Sequence, residues 1–570
     1  MYKPLTALVN SELEDLLVNK NVHNQLVTAL TTIISETNGL SLSDTIDLLI
    51  TSGLDKTHPE AYNVTVEFRN LLNQFQINQI TITSLLKHPI SEALFDFFCN
   101  FPLKYNEEHI HLTGAISADF IYPRLKKLLE GHDKEIYQQK ITEVYGPDAL
   151  PIDSIADVDR LIRLQENEGF SRYLKILYLP KLIFLDRQVH AEAAYHLAKE
   201  LNDKYNVGFI RLKFSLSRST SSSSEQIPGI ENVTAEDVVL GLYEGFKKFQ
   251  SENPGFNFVL SPSFRKEPSH FDAEKFGSRK DHFLAQVDEL VSMLDRFPFL
   301  VPHMTDVDTV GDERELYRKE HFNEMQSGLR KLQYRGFKIR SHHGETWHTL
   351  KKGIQAVDNA MNIWHIDTLE HGISLGINPN KYFHRIYQEI VAKNQKGTPI
   401  TAKDPLSREL SELYWGQNTA VLEKLVKGEV LTDSENILFV KAKFHTAREV
   451  EHYQHDVLNR MIQKDVTLIS LPSSNNKLTG KFEDYKDHPF SWWEKKGVQL
   501  GVGTDNHITL NTNFIYEMLI LLYTDAVNLK ITKLLMVTTG ETRRPYISHL
   551  LWKMRKKLKS PAVNKDFSRN

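Results

Sequence analysis

EEHIHLTGA, residues 107–115, is the stretch that decides how this chain is read. In a β-strand, side chains at i and i+2 point to the same face, so His109 and His111 present two imidazoles side by side. Two imidazoles on one face at a strand end can hold one divalent metal. With 24 histidines in the chain, a single H-x-H is a weak signal. Three later segments give it weight: RSHHGET (340–346), TLEHGIS (368–374) and GVGTDNH (501–507).

Each of these segments follows a strand-like apolar run. FKIR (337–340) precedes His342, MNIWHIDTL (361–369) precedes His371, and GVQLGVGT (497–504) precedes Asp505. Helix-like stretches such as HTLKKGIQAVDNAM (348–361) lie between them. Strand, polar residue and helix, repeated, is the pattern of a parallel α/β sheet. The reading predicts a (β/α)8 TIM barrel, in which all strand C-termini meet at one face. That convergence gives His109, His111, His342 and Asp505 a physical reason to share one metal ion. Nitrogen-rich ligation favours zinc, one Zn2+ per chain.

The ordered motifs resemble those of the adenosine/AMP deaminase family of metal-dependent hydrolases. HIHLTGA (109–115) is similar to the family's opening HxHLDGA, HHGE (342–345) to HAGE, and EHG (370–372) to GHG. SNNKLTG (474–480) is similar to S-x-x-LTG, TDNH (504–507) to TDDP, and VDTVGDE (307–313) to DLAGDE. The similarity runs from about residue 104 to about residue 550, with one large interruption between His371 and Asp505. It implies a hydrolytic deaminase of a purine. Glu345 is then the proton donor to ring N1, a carboxyl kept protonated by burial. His371 orients and deprotonates the attacking water. Asp505 binds metal and accepts a hydrogen bond from the hydroxide. Gly311 resembles the glycine whose backbone meets purine N3, although a glycine after a strand is otherwise a turn device. His343 stands where the family has a small residue and is not expected to ligate.

Two departures point to the substrate. Nucleoside deaminases carry Asp near the sugar 5′-oxygen where this chain has Thr113. Losing that charge removes a repulsion against a 5′-phosphate. Asn506 replaces the second Asp of TDDP, and its amide can still donate to purine N7. The expected substrate is AMP, ATP or a deoxy form, deaminated to the inosine form. Adenosine itself, or a catalytically silent scaffold, remain the alternatives. Arg218, Arg265 and Lys266 are candidate phosphate contacts.

Composition suits a soluble enzyme: 570 residues, 41% hydrophobic and 25% charged. Net charge is −4, so no general nucleic-acid or membrane affinity is implied. The lone Cys99 excludes an internal disulfide framework and suits the cytoplasm. It also excludes zinc deaminases that need a P-C-x-x-C ligand pair. No signal-peptide core opens the sequence, and no apolar run approaches the ~18 residues that span a bilayer.

The length exceeds one barrel of ~250 residues. Residues 1–103 read as an N-terminal helical extension, with SELEDLLVN (11–19), NVHNQLVTALTTIISET (21–37) and SLSDTIDLLITSG (41–53) as helical segments. Ser43 and Asn38-Gly39 are its start and stop signals. Residues 104–570 read as the barrel, with a helical insertion at about 384–455. Exposure of Tyr414 and Trp415 there would anchor a subunit interface. SLSRSTSSSSEQIPG (215–229) reads as a loop over the active face, and the basic WKMRKKLK (552–559) as a solvated helix end. The decorated barrel is similar to deaminases of RADAR-type bacterial phage-defence operons. That similarity implies a homo-oligomer, in a large assembly, with an antiviral role.

Overall fold

The computed structural model describes residues 10–37, 39–165, 168–216, 233–482 and 484–558. The Ser-rich stretch with Arg218 lies outside the described residues beyond Leu216, as do Asn38 and Lys559.

Eight strands run in chain order: β1 Tyr105–His111, β2 Val207–Ser215, β3 Asn257–Arg265, β4 Asp306–Val310, β5 Lys338–His343, β6 Thr368–His371, β7 Thr467–Ser470 and β8 Leu500–Val502. They form one sheet in sequential order, each pair parallel. A parallel bridge between Ile110 and Asp505 brings the first strand to the last. There His111 N donates to Asp505 O (2.8 Å) and Asp505 N donates to His109 O (2.9 Å). Buried Glu107 helps set this seam, since its Oε1 accepts from both His109 N and Thr504 N at 3.1 Å. The sheet is therefore a (β/α)8 barrel whose seam passes through the motif EEHIHLTGA. Helices cover its outside, and their apolar faces account for the continuous core.

The N-terminal segment is helical before β1. The two expected helices over 11–37 are one, Asn10–Thr37, because no breaker interrupts the run at Lys20. The next helix, Leu42–Thr51, starts earlier than expected. Its cap is Ser41 rather than Ser43, because Ser41 forms a reciprocal pair with Asp44: Asp44 N donates to Ser41 Oγ (3.2 Å) and Ser41 N donates to Asp44 Oδ2 (3.3 Å). Ser43 is buried one turn in, where its backbone N donates to Ala526 O (2.8 Å). These helices pack on the end of the barrel domain: Phe68 meets Tyr523 edge-on at 5.9 Å, and Ile531 N donates to Leu40 O (3.1 Å). The basic C-terminal helix Arg544–Leu558 is partly tied down, with Arg555 paired to Glu36.

The connection from β6 to β7 is long and helical, and the expected insertion at about 384–455 falls within it. It carries helices Pro379–Asn394, Leu406–Glu412, Thr419–Lys427 and Asp433–Gln463. The helical part is thus wider than 384–455. Asn378 caps its start, accepting from Lys381 N (3.1 Å), and the last helix runs 31 residues from a Thr432–Glu435 capping box. Trp415 is buried, not an exposed anchor: its Nε1 donates to Leu410 O (2.9 Å) and its ring stacks on Phe439. Tyr414 is exposed, as are Ile437, Val440 and Phe444 on one face of the long helix. Among the described residues no helix is long and apolar enough to cross a membrane.

Candidate metal centre

Strand ends bring four expected ligands together. His109 and His111 extend from β1 with their Nε2 atoms 3.1 Å apart, and His342 Nε2 from β5 lies 3.3 Å from His111 Nε2. Asp505 Oδ1, just past β8, is 3.7 Å from His109 Nε2 and 3.5 Å from His111 Nε2. Four donors placed tetrahedrally around an ion at about 2.0–2.1 Å stand about 3.4 Å from one another. The four separations are close to that spacing, and the three histidine nitrogens all lie within 4.8 Å of one another. The protonation of the cluster also fits a cation. His109 Nδ1 donates to Glu370 Oε2 (2.7 Å) and His342 Nδ1 to Asp308 (3.1 Å to Oδ2), so each neutral ring presents a lone pair on Nε2. Burial opposes a charge on His109, but Glu370 and Asp505 outweigh it and raise its pKa, so a metal there would displace a proton. Burial pushes His111 down to about 3 and holds His342 well below the usual imidazole range. Lone pairs converging on one point in a dry site call for a positive ion.

A layer of charge beneath the cluster holds these rings. Lys213 Nζ on β2 donates to Asp308 Oδ2 (2.8 Å) and Glu370 Oε1 (2.9 Å), and Arg340 Nε adds a bond to Glu370 Oε1 (2.6 Å). All four side chains are buried or nearly so. Burial opposes ionisation of Glu370, but Arg340, Lys213 and His109 outweigh it and hold the carboxyl well below its ordinary range. Sequence reasoning passed over Lys213, Asp308 and Glu370. Their signal was present: a charged residue inside an apolar barrel strand is buried, and a buried charge must be paired. Removing one partner from such a network leaves the others uncompensated. Lys213→Met is expected to lower zinc affinity about ten- to hundredfold and to lower the melting temperature, read by chelator competition and thermal unfolding. Wild-type zinc affinity in a folded variant would show that the layer does not serve the ligands.

Glu345 and His371 stand beside the cluster. His371 ends β6 with φ +68°, a left-handed conformation that a non-glycine residue adopts at some cost. Its Nδ1 donates to Asn475 Oδ1 (2.8 Å), which leaves Nε2 as the basic atom. That Nε2 is buried, has no hydrogen-bond partner, and lies 3.7 Å from Glu345 Oε2. The ring is 5.1 Å from that of His342 and 5.6 Å from that of His109. Burial raises the Glu345 carboxyl above the ordinary range; Asp505 and Glu313 push the same way, against His371 and Lys266. The loop carrying Glu345 hangs on Glu313, another residue that sequence reasoning passed over. Its carboxylate accepts from Gly344 N (3.0 Å), Glu345 N (2.6 Å), Thr346 N (2.6 Å) and His343 Nδ1 (3.0 Å). His343 thus turns away from the three-histidine cluster.

No protein-family model and no curated protein matches the chain. Among solved structures it is similar to the adenine deaminase of Arthrobacter aurescens, at 12% identity over 80% of this chain and 99% of that one, TM-score 0.45. It is similar to the N6-methyl-AMP deaminase of Arabidopsis thaliana, at 13% identity over 81% and 98%, TM-score 0.44. A third is an amidohydrolase of Burkholderia ambifaria with bound Zn, at 12% identity over 80% and 93%, TM-score 0.38. The chemistry of the site therefore rests on its own geometry.

The expected substrate contacts are placed less uniformly. Thr113 sits in the turn Leu112–Gly114 after β1 and lines a cavity of ≈ 100 Å³ with His111, Lys181, Lys213 and Ser263. Gly311 has φ +104°, and a Cβ there would stand 2.3 Å from the Glu267 carboxylate. Glu267 Oε1 accepts from Asp312 N (3.0 Å), so this glycine serves a turn that lets a side chain close on the backbone. Asn506 Nδ2 donates to Asp505 Oδ1 (2.6 Å) and Tyr173 OH (2.5 Å). The atom it leaves unpartnered is Oδ1, an acceptor, whereas the expected contact with purine N7 needs a donor. Ser474 Oγ donates to the other Asp505 oxygen (2.6 Å). Arg265 pairs with Glu267. Lys266 is fully buried and its Nζ has no hydrogen-bond partner; Glu313 and Glu345 are among the carboxylates near it. Lys266 is closed to a phosphate, whereas Arg265 is exposed but already paired.

Proposed function

We propose that this chain is a zinc-dependent hydrolytic deaminase of the adenosine/AMP deaminase family, converting a 5′-phosphorylated adenine nucleotide to its inosine form and ammonia. One observation carries the reading. A buried imidazole with a lone pair, His371 Nε2, stands 3.7 Å from a buried carboxyl, Glu345, at the edge of a three-histidine cluster with Asp505 beside it. Base, acid and metal ligands on one barrel face are the parts that hydrolytic removal of an amino group needs.

His109, His111, His342 and Asp505 would hold the zinc, which when bound would supply Lewis acidity that makes a water easier to deprotonate near neutral pH. The chain's own residues then divide the proton work. Glu345, kept protonated by burial, donates to ring N1 and makes C6 electrophilic. His371, fixed by Asn475, takes a proton from the attacking water on Nε2 and returns it to the departing amine. Asp505, steadied by Ser474, orients the water. Water gives oxygen to C6 and one proton to ammonia. Its second proton replaces the one that Glu345 gave to N1.

Thr113 supports a phosphate-bearing substrate. Two charges ~4 Å apart at an effective dielectric of ~20 interact by about 4 kcal/mol before screening. A carboxylate at this place would reject a phosphate, and threonine does not. Wild type is expected to prefer AMP or ATP over adenosine in kcat/KM. Thr113→Asp shifts the ratio toward adenosine at least about tenfold, ~1.4 kcal/mol. Ammonia release from adenosine, AMP and ATP in both proteins tests this. Wild type favouring adenosine, or an unchanged ratio, would return the chain to nucleoside substrates; no release from any of them would leave a silent scaffold. The expected homo-oligomer finds support in the exposed Tyr414, Ile437, Val440 and Phe444 on the insertion.

A further inference from the structure

We propose that the cleft between the N-terminal helices and the β6–β7 insertion is a second anion site, which takes an oligophosphate, free or carried on a nucleotide, and acts on the Glu345 loop. The cleft has a volume of ≈ 740 Å³, within the range of small-ligand sites. Three separate parts of the chain wall it. The turn at 76–81 forms one wall, the first turns of helix Pro379–Asn394 a second, and Lys481, Asp484, Lys486 and Asp487 a third. Cations come from two of these walls: Lys381, Arg385, Lys481 and Lys486.

Their partners sort them. Asp484 and Asp487 also line the cleft, and Lys381 is paired with Asp487 (2.8 Å). Lys486 Nζ donates to Phe75 O (2.7 Å) and to Asn78, tying one wall to another. Arg385 and Lys481 have no close ion pair, although burial pushes the Lys481 ammonium down to about 8 against the nearby Glu409 carboxylate. Arg385 Nε reaches Glu389 only at 3.9 Å, and Lys481 Nζ reaches Trp347 O at 3.4 Å. Asn378, the cap of a 16-residue helix, faces the same space, so the positive end of the helix adds to these charges.

Both Arg385 and Lys481 rest on rings that carry the catalytic loop. Lys481 lies 4.8 Å over Trp347, and Arg385 lies 5.8 Å over Tyr382. Trp347 Nε1 donates to Tyr382 OH (3.1 Å), which donates to Glu409 Oε1 (2.6 Å). The same Glu409 oxygen accepts from Leu350 N (2.7 Å). Trp347 is two residues from Glu345. A phosphate chain bridging Lys481 and Arg385 therefore pulls on both rings and stiffens the segment from Glu345 to Leu350. This gives the insertion and the N-terminal helices a shared task that no residue of the metal cluster performs.

The binding claim is independent of the deaminase reading; only the expected effect on turnover rests on it. Calorimetry on the full-length, zinc-loaded protein, with zinc measured before and after, uses inorganic pyrophosphate and uridine diphosphate as probes. Uridine diphosphate offers no adenine amino group, and the tighter of the two probes identifies the source of the phosphate. Wild type and Thr113→Asp are expected to bind within about twofold of each other, because Thr113 borders only the catalytic cavity. Arg385→Gln and Lys481→Gln are each expected to weaken binding at least tenfold. Hydrogen exchange of residues 345–350 is expected to slow at least threefold on binding in wild type and not in Arg385→Gln. If Lys481→Gln unfolds, the partly exposed Arg385 decides alone. Unchanged affinity in Arg385→Gln, or loss of binding in Thr113→Asp instead, overturns the proposal. Absence of ammonia release from every adenine compound, with binding still lost in Arg385→Gln, sinks the deaminase reading and leaves the anion site standing.

Discussion

Glu345→Gln is expected to bind zinc and nucleotide and to lose most of its turnover. Glutamine keeps the shape and hydrogen bonding of the side chain but has no transferable proton. General acid–base catalysis contributes typically 10²–10⁴-fold, so kcat should fall by about that factor while KM changes little. The pH dependence carries the signature. Burial raises the Glu345 carboxyl, and the acid works only while protonated, so wild-type turnover falls as pH rises through this raised pKa. The variant loses that limb. Stability should fall with rising pH as well. A carboxyl whose folded pKa is raised binds its proton more tightly in the folded state, so the wild type loses stability as pH rises from the unfolded value through the folded one. Glu345→Gln is therefore expected to melt higher than wild type at alkaline pH, with no such gain at pH 4. A variant keeping more than about a third of wild-type rate would mean that another group protonates the purine.

The barrel was legible because its information is local and repeated. Each apolar run followed by a polar residue and a helical pattern states one βα unit, and closure follows from parallel geometry. That His109, His111, His342 and Asp505 would come close together was legible for the same reason, since each sits at or just past a strand end. The supporting residues were harder. Glu313 matters through four donors that its carboxylate collects from residues 343–346, and nothing in its own neighbourhood announces that. Lys213 lies 95 residues from Asp308 and 157 from Glu370, so only the fold pairs them. Exposure was misjudged at Trp415 because a tryptophan in a charged helical stretch reads as surface until its Nε1 finds a carbonyl. The Ser41 cap was readable: S-L-S-D contains Ser41 three residues before Asp44, the spacing of a capping box, and Ser43 has no such partner.

His342→Ala is expected to abolish stoichiometric zinc, and its neighbour supplies the control. His342 contributes one of the three converging nitrogens, and its other nitrogen is tied to Asp308. Removing it leaves two imidazoles and one carboxylate, and leaves Asp308 with Lys213 but without its imidazole. A site that loses one of four donors and opens to water holds a metal far more weakly, because each ligand's bond and the fixed geometry both count. After dialysis, metal analysis should find less than about a tenth of an ion per chain in His342→Ala and about one in wild type. His343→Ala removes a residue of the same type one position on. Its Nδ1 holds Glu313, not the cluster, so the variant should keep its zinc. It should instead lose turnover, because the Glu313 carboxylate gives up one of the donors that hold the Glu345 loop. Zinc retained in His342→Ala, or lost equally from both variants, would show that these strand ends do not form the metal centre. Loss confined to His342 assigns the ligand face of β5 and leaves the opposite face to the acid.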